Sequence, residues 1–265
     1  MGTLSAAEVA QWKNDGFLSP FPLLDAQELE ACRQGVARYE SWLGAPINAD
    51  ANHKWRSMPY LLLPWAANLA RDPRILDRVE DLIGPDILIF TSTFFIKEPH
   101  SPTIAAWHQD STYYGIEPKE EVTVWVALTE ASEAAGCMEA LSYRGKPRQL
   151  SHVSRAVRNS VNRAAQVITE PLDEGSPVAM PLQPGWFSMH HGLCPHRSGP
   201  NTSSHRRIGL GLPPVLEPHV TQAHDESRQV LHGCESCNCR PRHVSTNLLR
   251  RKLYKGVVLC QVVQA

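Results

Sequence analysis

Apolar positions along this chain change their period once, near residue 86. Before it they recur at helical spacing. Ser5-Ala6-Ala7-Glu8 has the form of a capping box, a hydroxyl followed three residues on by a carboxylate that can reach back to it. Asp25-Ala26-Gln27-Glu28 is a second such start, after which Leu29, Cys32, Val36 and Tyr39 fall on one helical face. Arg74 to Leu82 predicts another helix, striped by Ile75, Leu76, Val79, Leu82 and Ile83 and stopped by Gly84-Pro85. From Asp86 onward the apolar runs are short and rich in β-branched residues: Ile87 to Ile96, Glu121 to Thr129, Val178 to Met180, Trp186 to His190 and Arg207 to Leu212. Pro184-Gly185 and Ser198-Gly199-Pro200-Asn201 read as turns. Helices first and short strands after predict an α+β chain whose later part is a β-sandwich or barrel of the jelly-roll type.

Composition narrows the functional classes. A chain of 265 residues, 42% hydrophobic and 20% charged, can bury one full core, with no internal repeat to suggest otherwise. The formal net charge of −1 gives no reason to expect nucleic acid or an anionic membrane as partner. No apolar run approaches the roughly 20 residues of a membrane span, and the start of the chain lacks a secretory pattern, so a cytoplasmic protein, plausibly a monomer, is expected. Such a chain keeps its seven cysteines as thiols. Cys234, Cys237, Cys239 and His243 together suggest a zinc site, but without a second half at finger spacing they read as a loop with free thiols. Beyond Glu235 there is no acidic residue and there are six Arg or Lys, a tail read as solvated. The expected organisation is one domain over residues 1–235, helical in 1–85 and β in 86–235, with an irregular basic tail over 236–265.

The chemistry centres on Trp107-His108-Gln109-Asp110. In extended chain, residues i and i+2 project to one side, so His108 and Asp110 can face a common point. A third ligand from His190, His191 or His196 would complete two imidazoles and one carboxylate on one face of a metal, leaving three positions open as Fe(II) oxygenases require. Zinc hydrolases more often use a tetrahedral set with one open position. A bare His-x-Asp occurs often by chance, and a lone His is usually a surface or satisfied core residue.

Further stretches carry a resemblance. Gly84-Pro85-Asp86-Ile87-Leu88, Phe95-Ile96-Lys97, Trp107-His108-Gln109-Asp110-Ser111, Val122 to Leu128, Gly136-Cys137-Met138, Leu182-Gln183-Pro184-Gly185, His196 to Asn201 and Arg206 to Leu210 occur in that order. Over roughly residues 5 to 235 the sequence resembles the phytanoyl-CoA dioxygenase-like branch of the Fe(II)/2-oxoglutarate oxygenases. The resemblance implies a double-stranded β-helix (jelly-roll, cupin-like) core with N-terminal helices packed outside it. It makes His196 the third iron ligand and Arg207, eleven residues on, the partner of the distal carboxylate of 2-oxoglutarate, a role suited to the two parallel donors of a guanidinium. Ser198, Trp125 and Thr93 join the 2-oxoglutarate pocket by the same resemblance, although Trp125 read alone is equally a core aromatic. Alternation allows only one of Arg206 and Arg207 to point inward. It also lets one of His190 and His191 face the cavity, with neither taken as a ligand. Lys97, ending a strand near the cavity mouth, reads as a surface charge, with anchoring of an acidic substrate as the less favoured alternative.

The implied activity is hydroxylation of a small organic molecule using Fe(II), 2-oxoglutarate and O2. A halogenase is the less favoured reading, because related halogenases carry a small residue where this chain has Asp110. A binding protein of the same fold without turnover is the other alternative. It is kept open by residues 139–148 and 211–217, where the chain departs from the family's usual turn and strand and where Pro213-Pro214 cannot donate to a sheet ladder.

Overall fold

The computed structural model describes residues 2–216, apart from 115, 118, 162–164 and 173–175, together with residues 221–222 and 258–259. Two capping boxes open the first helices. Ser5 accepts from the Glu8 amide while the Glu8 carboxylate accepts from the Ser5 amide, starting α1 (Ala6–Asp15). Asp25 and Glu28 do the same for α2 (Ala26–Leu43). Each exchange satisfies two amides that the first helical turn leaves unpaired, worth about 1 kcal/mol per cap. Short helices α3 (Pro59–Leu62) and α4 (Pro64–Ala70) lead to α5 (Pro73–Ile83), which ends at Gly84 with its amide on the Glu80 carbonyl.

Between α1 and α2 runs β1 (Phe17–Pro22), so the N-terminal third is not purely helical. Its Pro20 and Pro22 lack donors and hid it from pattern reading. A sheet edge is where such a strand fits, and β1 is an edge strand. The later strands are β2 (Ile87–Ile89), β3 (Thr93–Lys97), β4 (Ala105–His108), β5 (Ile116–Glu117), β6 (Val122–Ala127), β7 (Met138–Ala140), β8 (His152–Arg155), β9 (Ala165–Ile168), β10 (Val178–Met180), β11 (Trp186–His191), β12 (His196–Ser198), β13 (Arg207–Leu212) and β14 (Pro214–Leu216). A major sheet of order β1-β11-β6-β13-β3 faces a minor sheet of order β10-β7-β12-β4, the two halves of a jelly roll.

Alternation along the major sheet assigns its two faces. Val122, Val124 and Val126 of β6, Phe187 and Met189 of β11, Ile208, Leu210 and Leu212 of β13, and Phe94 and Ile96 of β3 form one buried cluster with Leu29, Val36 and Tyr39 of α2 and Ile75, Leu76 and Val79 of α5. Burial of each large apolar side chain is worth about 1.5–3 kcal/mol, so this layer of helix on sheet carries much of the fold. The opposite face of the same strands presents Thr123, Trp125, His190, Arg207 and Phe95 to a cavity between the sheets.

Three regions that depart from the simple pattern have definite places. Ile87 to Ile96 divides into β2 and β3, because Ser92 between them is buried and accepts the Met58 and Tyr60 amides through its carbonyl and hydroxyl. After Leu212 the chain leaves the major sheet, and β14 pairs with β2 in a separate sheet. The departure at 139–148 docks on the end of α1: the Tyr143 hydroxyl donates to the Trp12 carbonyl at 3.1 Å and the Gly145 amide to the Asn14 carbonyl at 2.7 Å. Cys32, Cys137 and Cys194 are free thiols, all buried. The cluster Cys234, Cys237, Cys239 and His243 lies outside the described residues, as does most of the basic tail; residues 258–259 form a short strand parallel to β2. Among the described residues, no helix is long and apolar enough to cross a membrane.

Candidate active site

Sheet register brings the first two imidazoles together. His108 ends β4 and lies directly across from His196 at the start of β12, with ring centroids 4.1 Å apart. Asp110 follows just beyond β4, its Oδ1 3.6 Å from Nε2 of both His108 and His196. Ligand atoms of His108, Asp110 and His196 all lie within 4.8 Å of one another, and the three residues are buried. Each imidazole is oriented through Nδ1, His108 on the Ala106 carbonyl at 2.7 Å and His196 on the Cys194 carbonyl at 3.0 Å, which leaves both Nε2 atoms facing Asp110. Burial lowers the pKa of both histidines and keeps them neutral. Burial works against the charge on Asp110, but His196 and the His190 hydrogen bond outweigh it and hold the carboxyl below its usual range. Neutral imidazoles and an ionised carboxylate are the states that bind a metal.

The far oxygen of Asp110 is also engaged. Oδ2 accepts the Thr123 hydroxyl at 2.7 Å and lies 3.1 Å from His190 Nε2. His190 thus faces the cavity. His191 faces away, packed against the rings of Trp12 and Tyr143, and burial pushes its pKa down to about 4.

The second half of the site is a pocket of positive charge. Arg207 points into the cavity, 4% exposed, while Arg206 points the other way and is held by both oxygens of Glu40 and by Glu98. Lys97 is not a surface charge: it is 1% exposed, because its register partner on the neighbouring strand is Arg207 and both side chains turn inward. Its Nζ donates to Ser198 Oγ at 2.8 Å and to the Gly199 carbonyl. The Gly136 carbonyl accepts from both Arg207 and Lys97. Gly136 has φ +67°, and a side chain there would run into the Gly199 and Pro200 carbonyls, so only glycine presents its carbonyl this way. Among the described residues, neither cation is paired with a carboxylate. Burial, with Arg207 alongside, pushes the Lys97 ammonium down to about 6, and burial lowers Arg207 to about 10.

A dicarboxylate bound there would return Lys97 to its charged form by proton uptake. If the pocket takes 2-oxoglutarate, as the resemblance implies, its affinity is expected to fall as pH rises from about 6 to 8, by at most about tenfold per unit. Isothermal titration across that range should give a flat profile for Lys97→Met, and an identical slope in the variant would refute the assignment.

Trp125 forms one wall, with the Arg207 guanidinium carbon 5.3 Å from its ring centroid. Its indole lies over Gly209, where a Cβ would overlap the ring. Gly209→Ala is expected to displace Trp125, lower stability by about 1–3 kcal/mol by overpacking and, with 2-oxoglutarate in the cavity as the resemblance implies, weaken its binding; thermal melts and ligand titration check both. Thr93 sits at the start of β3 opposite Gly211, and it is not among the residues lining the cavity around His108, Asp110 and His196. Sequence reading passed over Thr123, although it lies two positions before Trp125 on one strand and so shares its face.

A buried acid lies behind the site. Glu121 has 0% exposure, and neither carboxyl oxygen has a partner among the described residues. Burial, and then the nearby Asp110, raise its pKa well above the ordinary glutamate value. An acid raised in the folded state destabilises it at any pH above the unfolded value of about 4.3. Glu121→Gln is expected to melt higher than the wild type at pH 8, with the gap closing towards pH 4. A gap that does not change with pH would rule this out.

With this geometry in hand, comparison with known proteins is direct. The sequence profile of the family described as phytanoyl-CoA dioxygenase (PhyH) matches residues 12–209. The chain belongs to the phytanoyl-CoA dioxygenase family. A probable alpha-ketoglutarate-dependent hypophosphite dioxygenase of Stutzerimonas stutzeri is 28% identical over 193 residues, covering 70% of this chain and 66% of that protein. The non-heme monooxygenase ThoJ superposes with a TM-score of 0.69 at 28% identity, covering 82% of this chain and 79% of the other. The epimerase SnoN, solved with Fe3+, alpha-ketoglutarate and nogalamycin RO, superposes with a TM-score of 0.68 over 88% of this chain and 91% of the other. At 19% identity it shares the jelly-roll fold. The chain spans 43% to 66% of the length of the curated relatives it matches first. The residues present suit the metal and co-substrate of this phytanoyl-CoA dioxygenase family: two neutral imidazoles and a carboxylate on one side, and on the other the buried basic side chains of Arg207 and Lys97, with no carboxylate partner among the described residues.

Proposed function

We propose that this protein is an Fe(II)- and 2-oxoglutarate-dependent oxygenase that hydroxylates a C–H bond of a small organic metabolite, coupled to decarboxylation of 2-oxoglutarate to succinate and CO2. The observation that carries this reading is that the His108, Asp110 and His196 ligand atoms and the Arg207 guanidinium line one cavity. In this reading His108, Asp110 and His196 hold iron, and Arg207, Lys97 and Ser198 take the distal carboxylate of the co-substrate, for which a bidentate guanidinium is suited. Trp125 walls that pocket, with Thr93 further along the same sheet face. Bound iron, with 2-oxoglutarate and O2, supplies the oxidising chemistry. The protein's part is to fix the ligand geometry, orient the substrate and exclude water. Phe95, Ala105, Met138 and Val161 line the remaining cavity and offer an apolar surface to the substrate, with Arg197 at its edge.

The experiment is a screen for substrate-stimulated release of CO2 from labelled 2-oxoglutarate, followed by mass spectrometry for a gain of one oxygen. The panel includes hypophosphite, given the relative named for that substrate, beside small carboxylic acids and natural-product fragments. Iron-dependent succinate formation with an oxygenated product supports the hydroxylase. Metal and 2-oxoglutarate binding without turnover on any substrate would favour the binding-protein alternative.

A further inference from the structure

We propose that His190 is a positioning residue which, together with Thr123, clamps one oxygen of Asp110 so that the carboxylate can meet a metal through its other oxygen alone. The proposal rests on the metal-site reading above. Asp110 Oδ1 is the atom turned towards Nε2 of His108 and His196, at 3.6 Å from each. Oδ2 is taken up on its own side by the Thr123 hydroxyl and by His190 Nε2. An ionised carboxylate only accepts hydrogen bonds, so His190 must carry its proton on Nε2. These two contacts use the lone pairs with which Oδ2 would otherwise reach the metal.

The clamp is built into the sheet. His190 on β11 and Thr123 on β6 are register partners, and both side chains leave the same face. The His190 ring also packs against His196, with centroids 4.4 Å apart. His190 is 2% exposed, and its Nδ1 has no partner among the described residues, so the bond to Asp110 is its one polar contact there. A buried imidazole left half-satisfied is costly to keep unless its single bond matters.

The consequence concerns coordination number. A carboxylate bound through both oxygens would fill four of six positions together with two imidazoles. Two would then remain, too few for a chelating co-substrate and dioxygen together. Holding Oδ2 aside preserves the third position.

The test uses the full-length protein loaded anaerobically with Co(II), in wild type, His190→Phe, His190→Gln and Thr123→Val. Glutamine can place an amide donor near the position of Nε2, whereas phenylalanine cannot. Affinity is read by competition with a chromophoric chelator. Carboxylate binding mode is read by difference infrared spectroscopy with aspartate 13C-labelled at its side-chain carboxyl, since the antisymmetric and symmetric stretches lie closer together in bidentate binding. Wild type and His190→Gln should give the wide, monodentate separation. His190→Phe and Thr123→Val should narrow it and bind Co(II) about 10- to 100-fold more weakly, as loss of a ligand's supporting hydrogen bond does. Should His190→Phe fail to fold, Thr123→Val, which replaces a hydroxyl by a methyl group, makes the same prediction. Wild-type separation and affinity in the folded clamp variants would overturn the clamp while leaving the metal site standing. Failure of the wild type to bind Co(II) would overturn the metal site itself, and the clamp with it.

Discussion

Asp110→Ala is expected to lower metal affinity by about two orders of magnitude or more, because a group that merely supports a ligand already accounts for 10- to 100-fold. The reason is specific to this site. Asp110 is the sole carboxylate of the triad, and four hydrogen-bonding or ionic neighbours converge on it: Thr123, His190, His108 and His196. Removing it leaves the Thr123 hydroxyl and the His190 N–H aimed at an empty space. Activity should fall with the metal. The substitution also decides between hydroxylation and halogenation. With Asp110 as a ligand, a chelating co-substrate and dioxygen would need all three positions that the triad leaves, and none would remain for a halide. Wild-type enzyme assayed in high chloride should therefore give oxygenated product alone, and chlorinated product, if formed, should come from the alanine variant. Chlorinated product from the wild type, detected by its isotope pattern in the mass spectrum, would contradict this assignment of Asp110.

Arg207→Ala is expected to raise the dissociation constant of 2-oxoglutarate by about two to three and a half orders of magnitude, the effect of breaking a buried ion pair worth about 3–5 kcal/mol. Arg206→Ala should leave that constant close to the wild-type value and act on stability instead. Arg206 is bidentate to Glu40 of α2 and also reaches Glu98 beyond β3, so its loss unties the helical layer from the sheet. The contrast follows from one residue of register: Arg207 lies opposite Lys97 and turns inward with it. Calorimetric titration of both variants, paired with their melting temperatures, separates the two roles, and equal effects of the two substitutions on 2-oxoglutarate binding would sink the argument.

What pattern reading could reach depended on whether neighbours in sequence carried the information. The two capping boxes are local, and Ser5, Glu8, Asp25 and Glu28 form the bonds their spacing predicts. Alternation along β6 is local too, separating Val122, Val124 and Val126 from Thr123 and Trp125. Alternation alone does not say which face is the cavity. Lys97 was misread for that reason: a cation at a strand end looks solvated until the strand is paired with β13. Once paired, its neighbour is Arg207, and neither has a carboxylate partner among the described residues, which suits the pair to an anion. β1 was missed because two prolines in six residues suppress the strand signal, and only its place at a sheet edge reconciles them. The role of His190 lay beyond sequence reading, because its partner Asp110 lies 80 positions away.

The central claim is that His108, Asp110 and His196 hold iron beside a 2-oxoglutarate pocket closed by Arg207 and Lys97. Anaerobic titration of the wild-type protein with Fe(II) and 2-oxoglutarate, followed by visible absorption, tests it most directly. A charge-transfer band is expected that requires both components, saturates at one of each per chain, disappears in His196→Ala and needs far more 2-oxoglutarate in Arg207→Ala. No band in the wild type, or a band of full strength in His196→Ala, would contradict it.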